Sequence, residues 1–292
     1  MIRVLSSGLL TTIQDLGRPS YCHIGVSAAG AADPVALRVA NRLVGSPDGA
    51  GAFEMTLRGG RFLFDADSVV SLCGGVFDAS IPMWRAVRVS AGEEVSVGGC
   101  SVGSRCYLAV RGGVTGESYL GSVSTHLLSG FGRVIQRDDQ FQIGTAASGS
   151  VRDRVVEWDR AYGRVRVTVG SNSQAFDPDD LFALLNQSWR VSEHSNRQGI
   201  RLGGSLIGSA GGAMLSEGVA LGAIQVSPNG QPVILFVDSQ TTGGYPVIAN
   251  VAAVDIGVVG QLRPGSALKL EPVPLSEARR LLIEQEAWIR GI

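Results

Sequence analysis

The segment Glu217–Ala249 has the sequence EGVALGAIQVSPNGQPVILFVDSQTTGGYPVIA. Apolar and β-branched residues fill two short runs in it, Ala223–Val226 and Val233–Val237, as is typical of strands. The residues between these runs, Ser227–Pro232, include the Pro, Asn and Gly that turns require. The segment therefore predicts a β-hairpin within a mainly β fold.

The second strand of this hairpin leads into a polar stretch, Asp238–Pro246. Gly243 and Gly244 free the backbone there, and uncharged donors and acceptors accompany them. Such a stretch suits a neutral amide or carbonyl ligand. The alternative is an ordinary glycine-rich connection whose threonines form local turns and whose hydroxyls are solvated. The uncharged polar residues are Gln240, Thr241, Thr242 and Tyr245.

The composition is that of a globular protein with enough apolar material for more than one core. The chain has 292 residues, 45% of them hydrophobic, and a formal net charge of −1. This length favours two domains, and the small charge gives no field that attracts nucleic acid or anionic lipid. No apolar run reaches the roughly 18 residues that a membrane span needs, and Met1–Gly8 lacks a secretory pattern. We therefore expect a cytoplasmic protein without nucleic-acid or membrane partners.

Cysteine, histidine and lysine are sparse, and their spacing argues against several kinds of site. The cysteines form no CxxC pair, so we expect reduced, buried thiols, and the histidines lack metal-ligand spacing, so we expect no metal site. Lys269 is the only lysine, and its alternating strand pattern points it to solvent. This argues against Schiff-base chemistry, a P-loop and a biotinyl-lysine in this chain. The cysteines are Cys22, Cys73, Cys100 and Cys106, and the histidines are His23, His126 and His194.

The first half of the chain predicts one helix packed on short strands. Asp15 precedes a glycine by two residues, which predicts an Asx turn, with a role as acid or base as the alternative. A helix begins at Asp33–Pro34 and ends at Gly45. From Phe53 to Gly113 short strands alternate with glycine-rich turns, as in an antiparallel barrel or sandwich. Alternation at Glu54 places it opposite its apolar neighbours, which predicts an exposed carboxylate.

The second half repeats this plan. A helix begins at Asp177–Pro178, which is 144 positions after its counterpart, and Trp189 falls on its apolar face. A last helix is predicted over Ser276–Ile289. We therefore predict two similar β-rich domains, residues 1–155 and 156–292, each with a flanking helix, and a C-terminal helix.

Three separated motifs resemble those of the KipA family, also known as the C-type subunit of 5-oxoprolinase or as allophanate hydrolase subunit 2-like proteins, which is related to biotin-dependent carboxyltransferase domains. They are Thr12–Pro19 with Gly30, Ala31 and Asp33; Ser195–Arg197 with Gly199 and Arg201; and the segment Glu217–Ala249. The resemblance implies two cyclophilin-like β-barrel domains. The chain departs from the usual residues of the family at Ser27, Ala29, Ala32, Gln198 and Ser239.

The resemblance also implies one component of an ATP-dependent hydrolase that acts on an amide or lactam. In the favoured interpretation the chain works with a KipI-type partner, which is the B-type component of a 5-oxoprolinase, to activate 5-oxoproline with ATP and Mg²⁺. A ring-opening protein, the A-type component, then completes the conversion to glutamate. The alternatives are a carboxyltransferase-type protein for urea or a related amide, and a non-catalytic regulatory protein that antagonises a kinase inhibitor.

Candidate site residues follow from the side-chain chemistry of these motifs. A guanidinium suits a carboxylate or phosphate, and a side-chain amide pairs a donor with an acceptor, as a lactam or urea does. A carboxylate suits a base or a Mg²⁺ ligand, with an acceptor for turn amides as the alternative. The predicted catalytic residues are Asp238, Gln240 and Tyr245, and the predicted substrate-binding residues are Asn196, Arg197, Gln225, Thr242, Glu54 and Glu217.

Overall fold

The computed structural model describes residues 1–145, 149–152, 154–157, 162–208 and 214–292. The chain forms two compact units. Unit 1 comprises Met1–Arg18, Ala29–Arg160 and Ile289–Ile292, and unit 2 comprises Pro19–Ala28 and Ala161–Trp288. The chain therefore leaves unit 1 for a short excursion and returns to it before the helix of unit 1 begins.

Unit 1 is a curled antiparallel sheet with a flanking helix. Its elements are β1 (Ile2–Ser6), β2 (Leu10–Gln14), α1 (Pro34–Leu43), β3 (Ala52–Thr56), β4 (Arg61–Phe64), β5 (Ser68–Ala79), β6 (Ala86–Val89), β7 (Glu94–Val110) and β8 (Gln140–Phe141). The strand order is β2-β3-β7-β4-β1-β8, and β7 also pairs with β5, which carries β6.

The core of unit 1 consists of apolar side chains that alternate along these strands. Phe53 of β3 and Phe62 of β4 stack with their ring centroids 4.8 Å apart. Phe141 of β8 meets Phe53 edge-on at 5.3 Å. Because side chains alternate between the two faces of a strand, these aromatic residues converge on the same face of the sheet.

Helix α1 covers unit 1 where the sequence predicts it. Asp33 caps the helix, since its Oδ1 accepts a hydrogen bond from the Ala36 N–H at 3.1 Å, and Pro34 occupies the first turn. Gly45 follows the helix with a φ of +73°, a conformation that glycine adopts easily. Ser71 of β5 donates to the carbonyl of Ala40 at 2.8 Å, which ties the helix to the sheet.

Unit 2 contains a closed barrel. Its elements are β9 (Arg164–Val169), α2 (Pro178–Asn186), β10 (Trp189–Val191), β11 (Gly199–Gly203), β12 (Glu217–Gly218), β13 (Ala223–Val226), β14 (Pro232–Leu235), β15 (Thr242–Gly243), β16 (Val247–Val251), α3 (Ile256–Val259), β17 (Ala267–Pro272) and α4 (Leu275–Arg290), whose last two residues belong to unit 1. The barrel order is β10-β11-β14-β13-β16-β9-β17, and β12 pairs with β15 as a separate ribbon.

The structure confirms the mainly β fold class, with two β-rich units that each have a flanking helix and with a helix at the C-terminal end. The hairpin is confirmed as β13 and β14, with Ile224 opposite Ile234, although its second strand ends at Leu235 rather than at Val237. The domain limits, 1–155 and 156–292, stay predictions. None of the described helices is long and apolar enough to cross a membrane.

Outside the candidate site, the predictions for Trp189 and Cys22 were wrong. Trp189 lies on β10 and not on helix α2, which ends at Asn186. The indole is buried and donates to the Leu184 carbonyl at 2.8 Å, so barrel packing outweighs the helical spacing. Cys22 is exposed rather than buried, while Lys269 is exposed as predicted.

Candidate functional site

Arg197 and Asp238 form a two-pronged ion pair in unit 2. The Arg197 Nε lies 2.7 Å from Asp238 Oδ2, and Nη2 lies 3.0 Å from Oδ1. The two backbones also meet, since the Asp238 N–H donates to the Arg197 carbonyl at 2.9 Å. The loop between β10 and β11 supplies Arg197, and the chain leaving β14 supplies Asp238. The pair thus joins two of the three sequence motifs.

This pairing bears on the chemistry predicted for both residues. Each carboxylate oxygen of Asp238 already accepts a charge-assisted hydrogen bond, and the side chain is largely buried. Action as a base or as a Mg²⁺ ligand would require the ion pair to open. The geometry therefore favours the alternative, in which Asp238 is a structural acceptor that fixes the start of the polar stretch.

Gln225 and Tyr245 are also brought together. Gln225 of β13 is buried, and its Nε2 donates to the Tyr245 carbonyl at 2.8 Å. Gly243 makes room for this contact, because a Cβ at that position would lie 2.7 Å from the Gln225 Nε2. The side chain of Gln225 therefore holds the polar stretch against the barrel and is not exposed to bulk solvent.

The β12–β15 ribbon places Glu217 opposite Gly243 and Gly218 opposite Thr242. Glu217 and Thr242 are exposed, as are Gln240 and Tyr245 further along the stretch. These four side chains present carboxylate, hydroxyl, amide and phenol groups at the surface of unit 2. Together with Asn196, they are the predicted site residues that a dissolved ligand reaches directly.

Asn196 has a local role in the loop between β10 and β11. Its Oδ1 accepts hydrogen bonds from the Gln198 N–H at 2.8 Å and from the Gly199 N–H at 3.3 Å. This is the geometry of an Asx turn, which occupies the acceptor half of the side-chain amide. The amide group of Asn196 remains at the exposed surface.

Sequence reasoning missed one residue at this stretch. Ser27 lies in the excursion Pro19–Ala28 that belongs to unit 2, and its hydroxyl donates to the Ser239 carbonyl at 2.6 Å. The contact holds the excursion to the residue that follows Asp238. Both serines lie at positions where the chain departs from the usual residues of the resembled family, which is the signal that marks them in the sequence.

Glu54 belongs to unit 1, whereas the other predicted site residues belong to unit 2. The predicted exposure of its carboxylate was wrong, since the residue is only 2% exposed. Its Oε2 accepts hydrogen bonds from the Ala32 N–H at 2.9 Å and from the Tyr107 hydroxyl at 2.7 Å. The Tyr107 oxygen in turn accepts from the Asp33 N–H at 2.7 Å.

Glu54 is buried because both faces of β3 are covered at this position. Residues Ala52–Met55 of β3 are buried on both faces, and the Glu54 carboxylate lies against the Ala32 N–H, just before helix α1, and the Tyr107 hydroxyl of β7. Burial raises the pKa of Tyr107 well above its usual value, and the carboxylates of Glu54 and Asp33 add to the effect. The phenol therefore stays protonated and donates to Glu54, and the two residues anchor the start of helix α1.

The polar side chains of the first motif, Thr12–Pro19, also make contacts that stabilise the fold. Asp15 Oδ1 accepts from the Gly17 N–H at 2.7 Å, which confirms the predicted Asx turn. The hydroxyls of Ser122 and Ser124 also donate to Asp15, and the Arg18 guanidinium donates to the Ser124 carbonyl at 2.6 Å. The side chains of Asp15 and Arg18 are both buried. Together they fasten the loop that contains Ser122 and Ser124.

Within the described ranges no group of three or more His, Cys, Asp or Glu side chains is arranged to hold a metal ion. Two thiols, Cys73 and Cys106, are fully buried, and burial raises the pKa of each well above its usual value. These thiols are therefore protonated and do not act as nucleophiles in the folded state.

The sequence of the chain matches a known family. The profile described as "Carboxyltransferase domain, subdomain A and B" covers residues 24–272, which is most of the chain. The chain belongs to this carboxyltransferase-domain family. The match includes the ion pair Arg197–Asp238, the polar stretch Asp238–Pro246 and the buried Glu54.

Individual relatives extend this assignment. The C-type subunit of 5-oxoprolinase from Escherichia coli is 33% identical over 302 residues, with 100% of this chain and 97% of the relative covered. "Urea amidolyase" of Lachancea kluyveri is 32% identical, with 99% of this chain but 18% of the relative covered. The crystal structure of the Kluyveromyces lactis urea carboxylase is similar with a TM-score of 0.93 and 29% identity, covering 99% of this chain and 29% of that chain.

Proposed function

We propose that this chain is the C-type component of an ATP-dependent 5-oxoprolinase, a heteromeric hydrolase that converts 5-oxoproline to glutamate. The observation that carries the proposal is the match to the E. coli 5-oxoprolinase component, which extends over 97% of that relative. The matching urea amidolyase of L. kluyveri shares only 18% of its length with this chain. We propose a KipI-type partner and a ring-opening, A-type partner, and the cytoplasmic location stays a prediction from the sequence.

The chemical difficulty of the reaction is the stability of the lactam. Amide resonance makes the ring carbonyl a poor electrophile. Transfer of the γ-phosphoryl group of ATP to the lactam oxygen places a leaving group on the ring carbon and makes it open to attack by water. Cleavage of the ring C–N bond, with the nitrogen taking up a proton, then gives γ-glutamyl phosphate, and a second water releases phosphate to yield glutamate. ATP is therefore a substrate of the complex in this proposal.

The exposed polar residues of unit 2 suit the recognition step. In this proposal the side-chain amide of Gln240 pairs with the lactam N–H and carbonyl, and the Thr242 and Tyr245 hydroxyls contribute further hydrogen bonds. All three are exposed, whereas Arg197 and Asp238 are engaged with each other. The ion pair then positions Gln240, which lies two residues after Asp238.

The described residues do not suit a Mg²⁺ site in this chain. Both Asp238 oxygens accept hydrogen bonds from Arg197, and Glu217 is a single exposed carboxylate. Magnesium bound with nucleotide prefers one or two free carboxylates with the phosphates. We therefore assign no Mg²⁺ ligand to this chain and derive no step through the ion.

A carboxyltransferase role on urea is the second candidate, and the similarity to the K. lactis urea carboxylase structure favours it. Lys269 is the only lysine of the chain and lies exposed on β17. Carboxyl transfer would therefore use biotin attached to another polypeptide or domain. The two candidates differ in their substrate and in their need for biotin, and both are measurable.

The test is ATP hydrolysis by this chain mixed with its KipI-type and ring-opening partners, with 5-oxoproline, with urea or with neither. We expect 5-oxoproline alone to stimulate hydrolysis and Gln240→Ala to remove the stimulation. Gln231→Ala, in the turn between β13 and β14, is the matched control and is expected to behave as the native chain. Stimulation by urea with a biotinylated carrier supports the second candidate, and complex formation without any turnover supports a non-catalytic role.

A further inference from the structure

Unit 1 contains an open groove of about 660 Å³ that none of the predicted site residues lines. It lies where β7 runs between the end of β5 and the chain that follows β3. Arg58 stands on one side of β7 and Asp78 on the other, and both line the groove. Serine hydroxyls and the side chain of Leu9, which is 66% exposed, complete its wall.

The two charged side chains face this groove without partners. Within the part of the chain that the structure describes, neither Arg58 nor Asp78 makes a side-chain hydrogen bond or ion pair. The neighbouring Arg61 differs, because it forms a two-pronged pair with Glu94 at 2.5 and 2.7 Å. The groove therefore holds one cation and one anion that do not pair with each other.

The floor between the two charges is bare backbone. Gly99 pairs with Arg58 across one edge of β7, and Ala79, next to Asp78, pairs with Val97 across the other edge. Two strand spacings of about 4.8 Å separate the flanking backbones by roughly 10 Å. Gly98 leaves space for the Asp78 carboxylate, since a Cβ there would lie 3.2 Å from Oδ2.

We propose that this groove binds a free α-amino acid in its zwitterionic form. The ligand carboxylate pairs with the Arg58 guanidinium and the ligand ammonium pairs with the Asp78 carboxylate, because each charge then meets its opposite. Because Gly98 and Gly99 have no side chains, the ligand can lie against β7 between Arg58 and Asp78. The apolar part of the ligand contacts Leu9.

The proposal is tested by titrating the purified full chain with L-glutamate and L-alanine by calorimetry. Each of the variants Arg58→Gln and Asp78→Asn is expected to weaken binding about tenfold or more, since each removes a charge-assisted hydrogen bond. Arg3→Gln and Asp138→Asn are matched controls, because both positions are exposed and lie outside the groove. The controls are expected to bind within about twofold of the native chain.

A second variant tests the geometry without removing a charge. Gly98→Ala adds a methyl group 3.2 Å from the Asp78 Oδ2 and 3.3 Å from the Asp78 carbonyl oxygen, and Gly98 does not have a positive φ. We expect weaker binding of both amino acids by a chain that still unfolds cooperatively on heating. 5-Oxoproline has a carboxylate but no ammonium, so we expect it to bind more weakly than glutamate here.

Three results would overturn the proposal. The first is that neither amino acid binds the native chain at about 10 mM. The second is that the Arg58 and Asp78 variants bind as tightly as the native chain. The third is that 5-oxoproline binds as tightly as glutamate. None of these measurements involves ATP or a partner protein. The outcome is therefore independent of whether the chain serves a 5-oxoprolinase.

Discussion

The Arg197 guanidinium donates to both carboxylate oxygens of Asp238, at 2.7 and 3.0 Å, while the Asp238 N–H donates to the Arg197 carbonyl. Two motifs about 40 positions apart in the sequence thus meet through side chains and backbone at once. The contact fixes where the polar stretch Asp238–Pro246 begins. It makes the pair a positioning element for the exposed residues that follow it.

We predict that Arg197→Ala lowers the free energy of unfolding by about 2–4 kcal/mol, because it leaves the Asp238 carboxylate buried without its partner. Arg197→Lys has a smaller effect, since an ammonium cannot fork onto two oxygens. Chemical denaturation followed by fluorescence measures both. Arg201→Ala, an exposed neighbour on β11, is expected to change stability by no more than about 0.5 kcal/mol. Equal effects at the two positions would contradict a structural ion pair.

Glu54 offers a test of anchoring against substrate contact. Glu54→Gln is predicted to lower the free energy of unfolding by about 1–3 kcal/mol, because it disturbs the acceptor for the Ala32 N–H and the Tyr107 hydroxyl. Glu93→Gln, at an exposed position, is the control. We expect the folded Glu54 variant to keep the KM of the native chain. A large rise in KM without loss of stability would instead assign Glu54 to substrate binding.

Thiol reactivity is predicted to follow burial. Cys22 is exposed and reacts first with a thiol reagent at neutral pH, whereas Cys73 and Cys106 react only on unfolding, because burial keeps both protonated. Cys22→Ser removes the fast phase. Mass spectrometry after a short exposure identifies the modified residue. Fast labelling of Cys73 or Cys106 in the folded chain would show that the core of unit 1 opens readily.

Acid stability depends in part on Asp139. Hydrogen bonds from Arg133, at 2.6 and 2.8 Å, lower the pKa of Asp139 below its usual value, with a backbone contribution from the Gln136 N–H. The ionised carboxylate therefore favours the folded state. This stabilisation is present above the unfolded pKa of about 3.9 and is lost as the pH falls through the lower folded pKa.

Asp139→Asn is accordingly predicted to flatten the dependence of unfolding free energy on pH below about pH 5. Denaturant titrations at several acidic pH values measure this slope. Asp138→Asn is the matched control, since that side chain is 77% exposed and 3.7 Å from Arg137. An unchanged slope in the Asp139 variant would mean that its pairing with Arg133 does not persist in solution.

Local patterns predicted much of the fold because the information lies within a few residues. The cap at Asp33 and the proline after it start helix α1, and the turn residues of Ser227–Pro232 set the hairpin β13–β14. Period-two alternation also places Lys269 at the surface. Each of these features depends on neighbours in the sequence.

The remaining features depend on contacts between distant segments, which a single sequence does not contain. Period-two alternation predicted an exposed Glu54, but its carboxylate is buried against the Ala32 N–H and the Tyr107 hydroxyl, which come from other segments of the chain. Trp189 fitted a helical stripe, yet it belongs to the barrel. The link from Ser27 to Ser239 joins positions 212 residues apart, and no spacing rule connects them.

The same limit applies to the candidate site. Side-chain chemistry selected Arg197, Asp238, Gln225 and Tyr245, and the structure brings them together as two pairs. The sequence did not indicate that Arg197 and Asp238 satisfy each other. That pairing favours the structural-acceptor alternative for Asp238, and its role as a base stays a prediction.

Glutamate formation tests the central claim most directly. We would mix this chain with its KipI-type and ring-opening partners, add ATP and 5-oxoproline, and measure glutamate and ADP in parallel, omitting each polypeptide in turn. We expect glutamate and ADP to rise together, to require this chain, and to be lost with Gln240→Ala but not with Gln231→Ala. Glutamate formation of equal rate without this chain would contradict the account.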